Sequence, residues 1–149
     1  MRFDEPTLLV VGALLALGIA STAVARQSDY ANRDDVKIAC VIVAEAAGEG
    51  PEGWRAVGSV VQNRAQKLGC SAVRAASLPA QFKRISLSTA LRRVSATQWS
   101  QILDIAGAVT RNQLRDNTGG ALYFYSGPVP WWAPHQTLTV VIGGHTFLR

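Results

Sequence analysis

Apolar and polar residues first form a clear pattern at positions 34–47. Two acidic residues, Asp34 and Asp35, precede a run in which almost every position from 36 to 43 is apolar. Acidic side chains are favourable at a helix N-terminus, and this apolar density is typical of a helix buried on most sides. We expect the helix to end near residues 47–48, because two glycines and a proline follow at once.

Two further helices are predicted by apolar residues at helical spacing. The second has Pro51 in its first turn, an apolar stripe at positions 54, 57, 60 and 61, and Gly69 at its end. The third is capped by Ser95 or Thr97, carries apolar residues from 99 to 109 and ends near Leu114. Residues 71–93 between them lack a regular period, so we expect a loop with short helical turns there.

The last third of the chain has the pattern of a small β element. A turn cluster at residues 116–120 precedes a short candidate strand at 121–125, which a Gly-Pro-Val-Pro break ends. A β-branched stretch at 137–142 predicts a second strand, and Gly143 and Gly144 form a turn before residues 145–147 close the chain. The predicted fold class is therefore α+β, mainly α, with a small β element near the C-terminus.

An uncharged apolar run occupies residues 7–25, and a polar segment follows it. The run is just long enough for a membrane helix, which needs about 20 apolar residues, and it ends in the small-x-small pattern Ala-Val-Ala. A cleaved signal peptide, a retained signal-anchor and an apolar tail buried in an assembly all stay open. An ordinary buried helix is disfavoured, because a domain of roughly 120 residues cannot easily cover it on all sides. We therefore divide the chain into an N-terminal apolar helix or signal segment (1–26), a linker (27–33) and one domain (34–149).

Composition excludes several classes of protein. Apolar residues make up 48%, charged residues 17%, and the net charge is +5, which excludes a disordered polyelectrolyte, a collagen-like chain and a coiled coil. Two cysteines are too few for a disulfide scaffold, and Cys40 and Cys70 either form one disulfide or stay free. No Asp or Glu occurs between residues 53 and 103, so this span carries an excess of positive charge. The basic residues either attract polyanions or only form a solvated surface. Nucleic acid is not expected, because the sequence has no zinc finger, RNA-binding aromatic motif or phosphate loop.

Glu45 is the sharpest candidate for chemistry, because it lies at the end of the most apolar predicted helix. A carboxyl among Ile and Val side chains is costly unless it is paired or protonated, and a protonated carboxyl can act as a general acid. Glu49 would share a helix face with Glu45 if the helix persisted, which Gly48 disfavours. From the residues alone, a carboxylate satisfied by an internal Arg or by backbone donors is the simpler interpretation.

Five short motifs occur in a characteristic order. Residues 45–49 read Glu-Ala-Ala-Gly-Glu, and residues 53–64 fit Gly-x-x-Ala-Val-x-x-Val-x-x-Asn-Arg. A Gln-Phe pair follows at 81–82, then a Thr-x-Gly segment leading into aromatic residues within 116–125, then Ile-Gly-x-His-x-Phe at 142–147. In this order they resemble the cell wall hydrolase family typified by the spore cortex-lytic enzyme SleB, over nearly the whole of residues 34–149.

The resemblance implies a lysozyme-like domain that cleaves the glycan strands of peptidoglycan between N-acetylmuramic acid and N-acetylglucosamine. It implies a lytic transglycosylase in which Glu45 is the single general acid and base. A hydrolytic, muramidase-like outcome stays open, and it would need a positioned water, for which Glu49 is the nearest candidate. Such an enzyme requires no cofactor, and two histidines without matched Asp or Cys spacing do not make a metal site. Substrate-binding roles are expected for five residues: Glu49, Gln81, Tyr123, Tyr125 and His145. For His145 a structural role is favoured over that of a base.

The sequence departs from the family pattern at three places. The tyrosine that often precedes the catalytic Glu is replaced by Val43 and Ala44, and Ala47 stands where Arg is common. Lys83 and Arg84 follow the Gln-Phe pair, where a small residue such as Ser is common. These changes affect substrate detail more than the fold.

We expect the chain to be exported or membrane-anchored and to act in the periplasm or cell wall. Its expected partners are peptidoglycan, the membrane through residues 7–25 if they are uncleaved, and a virion or cell-envelope assembly. The alternative is a catalytically inactive wall-binding or structural component with a lysozyme-like fold. Among the aromatic residues, we expect Trp54 and Trp99 in the core, and Tyr123 or Tyr125 in a substrate groove.

Overall fold

The computed structural model describes residues 22–149, which belong to two units, residues 1–33 and Asp34–Arg149. In the first unit residues 22–32 are helical, so the polar segment predicted as a linker (27–33) is helical as far as residue 32. Polar side chains do not prevent a helix where no Gly or Pro interrupts it. Most of the apolar run at 7–25 lies outside the described residues. Within the described part of the chain, no helix combines the length and the hydropathy needed to cross a bilayer.

The second unit contains five helices followed by three strands. The helices are α1 (Asp34–Ala46), α2 (Gly50–Leu68), α3 (Ala72–Ser77), α4 (Leu87–Arg93) and α5 (Ala96–Thr110). The strands are β1 (Tyr123–Ser126), β2 (Leu138–Ile142) and β3 (His145–Leu148), with a 3₁₀ turn at Ala133–His135 between β1 and β2. The predicted class, α+β and mainly α with a small C-terminal β element, is confirmed.

Local capping explains most of the helix bounds. Helix α1 ends at Ala46 and α2 begins with Pro51 in its first turn, both close to the prediction. Gly69 ends α2 in the left-handed conformation at φ 61°, where a glycine has no steric penalty. Ser95 and Gln98 form a reciprocal capping box at the start of α5. The segment 71–93 is more regular than expected, since Ser71 and Ser86 cap α3 and α4.

Helix α5 ends at Thr110, four residues before the predicted end at Leu114. The residues that follow do not continue the helix, because Leu114 makes a tertiary contact with α2. The side-chain amide of Gln62 donates to the Leu114 carbonyl at 3.0 Å, and its oxygen accepts from the Leu114 N–H at 2.9 Å. Both backbone groups of Leu114 are thereby satisfied outside a helix, which a local pattern cannot reveal.

The sheet is antiparallel with strand order β1-β3-β2. Residues 145–147, which we expected only to close the chain, form most of the central strand. The first strand begins at Tyr123 and not at Ala121, because the Ala121 carbonyl accepts a hydrogen bond from Asn63 of α2. The sheet packs on α2 through Phe147, which is fully buried against Ala56, Val60 and Ala121.

The core of the second unit is built around α1. Val36, Ile38, Ile42 and Val43 of α1 are essentially inaccessible to solvent, as the dense apolar pattern predicted. Trp54 and Trp99 are also buried, as expected. Because α1 is enclosed by its neighbours, the position of its C-terminal end is well defined, and that end carries Glu45.

Candidate active site

The carboxyl of Glu45 lies at the end of α1, where the buried helix meets a surface cavity. The indole N–H of Trp54 donates to the Ala46 carbonyl at 2.9 Å and so caps the last turn. The Glu45 side chain is only 9% exposed, and its Oε1 accepts the backbone N–H of Lys83 at 2.5 Å. The ammonium of Lys83 lies 3.9 Å from Oε2 and is itself largely exposed. Glu45 is therefore satisfied by a backbone donor and a surface cation, and its carboxyl lines a cavity of about 300 Å³ together with Gln81 and Phe82.

Gln81 lies at the centre of a groove, which we define as three adjoining cavities that all have Gln81 in their lining. The first is the Glu45 cavity. The second, also about 300 Å³, is lined by Arg64, Tyr123 and Trp132 among others. The third, of about 220 Å³, continues past Arg64 and Tyr123 to Lys67. Since neighbouring cavities share residues, the groove runs from Glu45 along α2 and the loop at 78–83.

Arg64 joins the two walls of this groove. Its guanidinium lies 4.9 Å from the centroid of the Phe82 ring and 5.3 Å from that of Tyr123, within the range of cation–π contact. Its Nη1 donates to Oε1 of Gln81, and its Nε donates to the Leu122 carbonyl at 2.5 Å. Burial lowers the pKa of Arg64 and the nearby Tyr123 partly opposes this, but an arginine stays cationic throughout. Arg64 thus holds the 78–83 loop against the start of β1.

The residue before Arg64 fixes the same strand. Asn63 donates to the Ala121 carbonyl at 3.0 Å. Asp116 then orders the turn that leads into β1, because it accepts from the N–H and hydroxyl of Thr118 and from the N–H of Gly120. Burial alone would raise the pKa of Asp116, but the hydrogen bonds from Thr118, Gly120 and Asn63 outweigh it and the pKa lies below its usual value. The Asn-Arg motif of α2 therefore places Tyr123 in the groove.

Glu49 and His145 contact each other at the other end of α2. Because α1 ends at Ala46, Glu49 does not share a helix face with Glu45. Its Oε2 accepts the N–H of Gly144 at 2.8 Å, and its Oε1 lies 3.7 Å from Nδ1 of the buried His145. A Cβ at Gly143, where φ is +57°, would lie 1.9 Å from Oε2 of Glu49, so a larger residue there would be strained and would have to displace the Glu49 carboxylate. The contact ties the start of α2 to the β2–β3 turn.

The aromatic cluster is built around Trp132. The Trp132 ring lies 5.9 Å from the ring of Tyr123 and 6.1 Å, edge-on, from the ring of Tyr125, measured between centroids. Of these three, Tyr123 and Trp132 line the groove. Trp131, the preceding residue, is 84% exposed.

The structure thus brings together some of the residues that the sequence singled out. Gln81 and Tyr123 line the groove that contains Glu45, whereas Glu49 and His145 face each other and Tyr125 packs on Trp132. Sequence reasoning missed the groove roles of Arg64 and Trp132. The Asn-Arg motif and the Trp-Trp pair were visible as patterns, but neither pattern indicates which residue faces a cavity.

The described residues contain no cluster of three or more His, Cys, Asp or Glu suited to a metal ion. Cys40 and Cys70 are both free thiols, so of the two alternatives left open by the sequence the structure has the unbonded one. Burial raises the pKa of the Cys40 thiol, which keeps it protonated and unreactive.

Comparison with solved structures shows which known domains have a similar fold. The structure is similar to the crystal structure of the catalytic domain of Bacillus cereus SleB, with a TM-score of 0.56 and 23% identity over 78% of this chain and 89% of that one. It is also similar to the catalytic domain of the germination-specific lytic transglycosylase SleB from Bacillus anthracis, with a TM-score of 0.59 and 23% identity over 79% of this chain and 96% of that one. No curated protein sequence matches significantly.

The sequence profile of the Cell Wall Hydrolase family matches residues 48–148. This range includes Gln81, Tyr123 and the other expected substrate-binding residues, and it begins just after Glu45. It covers more than half of the chain and nearly all of the second unit. The chain therefore belongs to the cell wall hydrolase family.

Proposed function

We propose that this protein cleaves the glycan strands of peptidoglycan between N-acetylmuramic acid and N-acetylglucosamine, as a lytic transglycosylase with Glu45 as general acid and base. The observation that carries the proposal is the setting of Glu45. Its side chain is only 9% exposed, yet Glu45 lines a cavity that shares Gln81 with the two other cavities of the groove. The similarity to the SleB catalytic domains supports it, since one of them is described as a lytic transglycosylase.

One carboxyl suffices for this reaction. Protonated Glu45 donates its proton to the glycosidic oxygen as the bond between that oxygen and C1 of the muramic acid breaks. The ionised carboxylate then takes the proton of the C6 hydroxyl of the same muramic acid, and O6 bonds to C1 to close a 1,6-anhydro ring. Glu45 ends protonated, as it began, and no water is consumed. A pair of carboxylates, as most glycosidases use, is not required.

The neighbours of Glu45 support both halves of the cycle. The N–H of Lys83 holds the carboxyl in one orientation toward the cavity. The ammonium of Lys83 stabilises the ionised carboxylate that acts as base, but it is 77% exposed and can move aside when Glu45 is protonated. Gln81 and Tyr123 are proposed to bind the sugar, because both line the groove.

Glu49, Tyr125 and His145 are proposed to contribute to substrate binding indirectly, by positioning residues of the groove wall. Glu49 and His145 hold the β2–β3 turn against α2, and His145 packs edge-on against Phe124 with ring centroids 5.4 Å apart. Phe124 and Trp132 in turn line the second cavity, and Tyr125 packs on Trp132. These residues fix the shape of the wall that the glycan would contact.

Peptidoglycan as the substrate places the proposed activity at the cell wall. We propose that the chain reaches the wall by export or by a membrane anchor in residues 7–25. A virion or cell-envelope assembly is the third proposed setting. The basic residues along the groove, Lys83, Arg64 and Lys67, suit a wall polymer whose stem peptides carry carboxylates.

The test is Glu45→Gln, which keeps the shape of the side chain but cannot donate or accept the proton. We expect it to abolish release of anhydromuropeptides from purified sacculi, followed by mass spectrometry, without a change in the unfolding temperature. Asp104→Asn is the matched control, because it removes one exposed carboxyl of α5 that lines none of the three groove cavities.

Full activity of the Glu45→Gln protein would rule out the proposed role. Products heavier by one water would show hydrolysis in place of ring closure. If the wild-type protein binds sacculi and releases no fragments at high concentration, the chain is a wall-binding or structural component and not an enzyme.

A further inference from the structure

The end of the chain is distinguished by its lack of charge. Residues 117–148 contain no Asp, Glu, Lys or Arg, although these four types make up 17% of the whole sequence. The segment comprises all three strands and the loop between β1 and β2. Four large apolar side chains within it are each at least 59% exposed to solvent: Val129, Trp131, Leu138 and Val141. We call these four residues the apolar patch.

The pairing of β2 with β3 places two members of the patch on the side of the sheet away from α2. Val140 and Phe147 are partners across the sheet and face the core on α2. Because side chains alternate along a strand, Val141 faces the opposite side. Leu138 pairs with Leu148, the neighbour of Phe147, after a register shift, so it faces that side as well. We call this the outer side of the sheet.

The loop between β1 and β2 lies over the same side. Tyr123 alternates in β1 with Phe124, which packs on the core, so the Tyr123 ring is on the outer side. Trp132 packs on that ring. The loop that carries Val129 and Trp131 is thereby held on the outer side, and all four residues of the apolar patch belong to one side of the sheet.

This surface has the chemistry of a membrane interface. Tryptophan is enriched where protein meets the headgroups of a bilayer, because its ring is amphipathic. Residues 126–134 include three prolines, which have no N–H, and the N–H of Ala133 is bonded to the Pro130 carbonyl. The loop therefore carries few backbone donors that lose water on contact with lipid, where an unsatisfied donor is costly. A protein interface has a polar rim, whereas this segment offers no formal charge to form one.

We propose that the outer side of the sheet binds the surface of an anionic lipid bilayer, with Trp131 and Val129 inserted among the headgroups. The rest of the domain supplies the charge, because residues 53–103 hold basic residues and no acidic ones. Basic residues attract anionic lipids within a Debye length of the membrane. The contact belongs to the second unit and is separate from any anchor in residues 7–25, and it does not depend on the proposed cleavage reaction.

Quenching of tryptophan fluorescence tests this contact in the whole chain. The vesicles contain equal parts of phosphatidylglycerol and of phosphatidylcholine brominated on its acyl chains. All four tryptophans lie in the second unit, and Trp54 and Trp99 are buried, so the signal does not report on residues 1–33. Bromination should lower the emission by about a quarter or more, since Trp131 is one of four tryptophans. Trp131→Phe should remove most of that quenching.

Leu91 provides a matched control for Val129. It is 46% exposed but belongs to α4, which packs on α1 and lies outside the uncharged segment. Val129→Asn should reduce the quenching about twofold or more, because it replaces an inserted apolar side chain by a polar one, and Leu91→Asn should leave it unchanged. Vesicles of brominated phosphatidylcholine alone should quench about half as much or less, because they lack the anionic lipid.

The proposal is overturned by the absence of quenching, by equal quenching of the wild-type and Trp131→Phe proteins, or by equal effects of Val129→Asn and Leu91→Asn. Equal quenching by anionic and uncharged vesicles would overturn the role of the anionic lipid. Self-association without lipid that Val129→Asn abolishes, measured by sedimentation, would also overturn the proposal, since the apolar patch would then join two copies of the chain. The substituted side chains are exposed, and the unfolding temperature of each variant shows that the protein used is folded.

Discussion

Glu45 belongs to a buried helix, but it borders a cavity because the helix ends next to it. Helix α1 stops one residue later, the Trp54 indole caps its last turn, and the carboxyl therefore lines a cavity while the preceding residues lie in the core. Among residues 22–149, it is the N–H and the ammonium of Lys83 that pair with this carboxyl. A single residue thus acquires its proposed chemistry from the end of a helix and from a loop 38 residues away.

Asp116 gives a prediction on the pH dependence of stability. Its pKa is lower in the folded protein than in the unfolded chain, where it lies near 3.9. The stability it contributes is therefore present above that unfolded value and is lost as the pH falls through the folded pKa. Asp116→Asn should lower the free energy of unfolding by about 1 kcal/mol at pH 6, a modest value because the residue is exposed.

The measurement is urea unfolding of wild type and Asp116→Asn between pH 6 and pH 2. The two curves should approach each other as the pH falls through the lowered pKa of Asp116 and the wild-type carboxyl becomes protonated. Asp104→Asn serves as the control and should run parallel to wild type. A constant difference between wild type and Asp116→Asn over the whole range would contradict the predicted role of the charge.

Helix α2 organises the site because three successive side chains reach three points of the connection between α5 and β1. Gln62 binds Leu114, Asn63 binds the Ala121 carbonyl and Arg64 binds the Leu122 carbonyl. At its other end Glu49 binds the β2–β3 turn. One helix thereby positions both the first strand and the hairpin formed by the other two.

The contact between Glu49 and the hairpin can be measured by a double-mutant cycle. Gly143→Ala should destabilise the protein by about 1–3 kcal/mol, because φ is +57° and the new Cβ would collide with Oε2 of Glu49. In a Glu49→Ala background the collision is gone and only the backbone strain remains. The loss of unfolding free energy caused by Gly143→Ala should then be smaller by about 1 kcal/mol, as determined by chemical denaturation.

Gly69→Ala is the matched control for this cycle. Gly69 has a similar φ of +61°, but nothing lies within 4 Å of the position of its Cβ. Gly69→Ala should therefore lower the free energy of unfolding by about 1 kcal/mol in both backgrounds, as expected from backbone strain alone. Identical costs of Gly143→Ala with and without Glu49 would show that Glu49 does not press against the turn.

At the scale of the whole molecule, the distribution of charge is one-sided. The net charge is +5, and the span from residue 53 to 103 has basic residues and no acidic ones. Three of these cations, Arg64, Lys67 and Lys83, line the groove. Because opposite charges attract over about 10 Å at 0.1 M salt, a polyanionic wall would be drawn to the protein before specific contacts form.

This distribution predicts that binding to sacculi depends on salt. Raising NaCl from 50 mM to 500 mM should weaken the binding of the Glu45→Gln protein to purified sacculi about tenfold or more, measured by co-sedimentation. Chitin, an uncharged glycan, is the control and should show little more than a twofold change. Sacculus binding that is insensitive to salt would mean that the basic surplus is a solvated face without a role in recognition.

The sequence by itself determined the local elements and the family. Helix α2 begins and ends where Pro51 and Gly69 predict, because a proline and a left-handed glycine act on the backbone of their own turn. The dense apolar pattern of α1 likewise predicts its burial, since periodicity reports which side chains avoid water. The order of short motifs was sufficient to indicate the cell wall hydrolase family.

Only the tertiary structure decided how these elements meet at the site. Glu49 lies near Glu45 in sequence but binds the β2–β3 turn, and Gln81 accepts a hydrogen bond from Arg64 and lines the same cavity as Tyr123. Residues 145–147 form the central strand because strands from both sides pair with them. Such contacts join residues that are far apart in sequence, so they depend on the path of the loops and the packing of helices, which local propensity and periodicity do not encode.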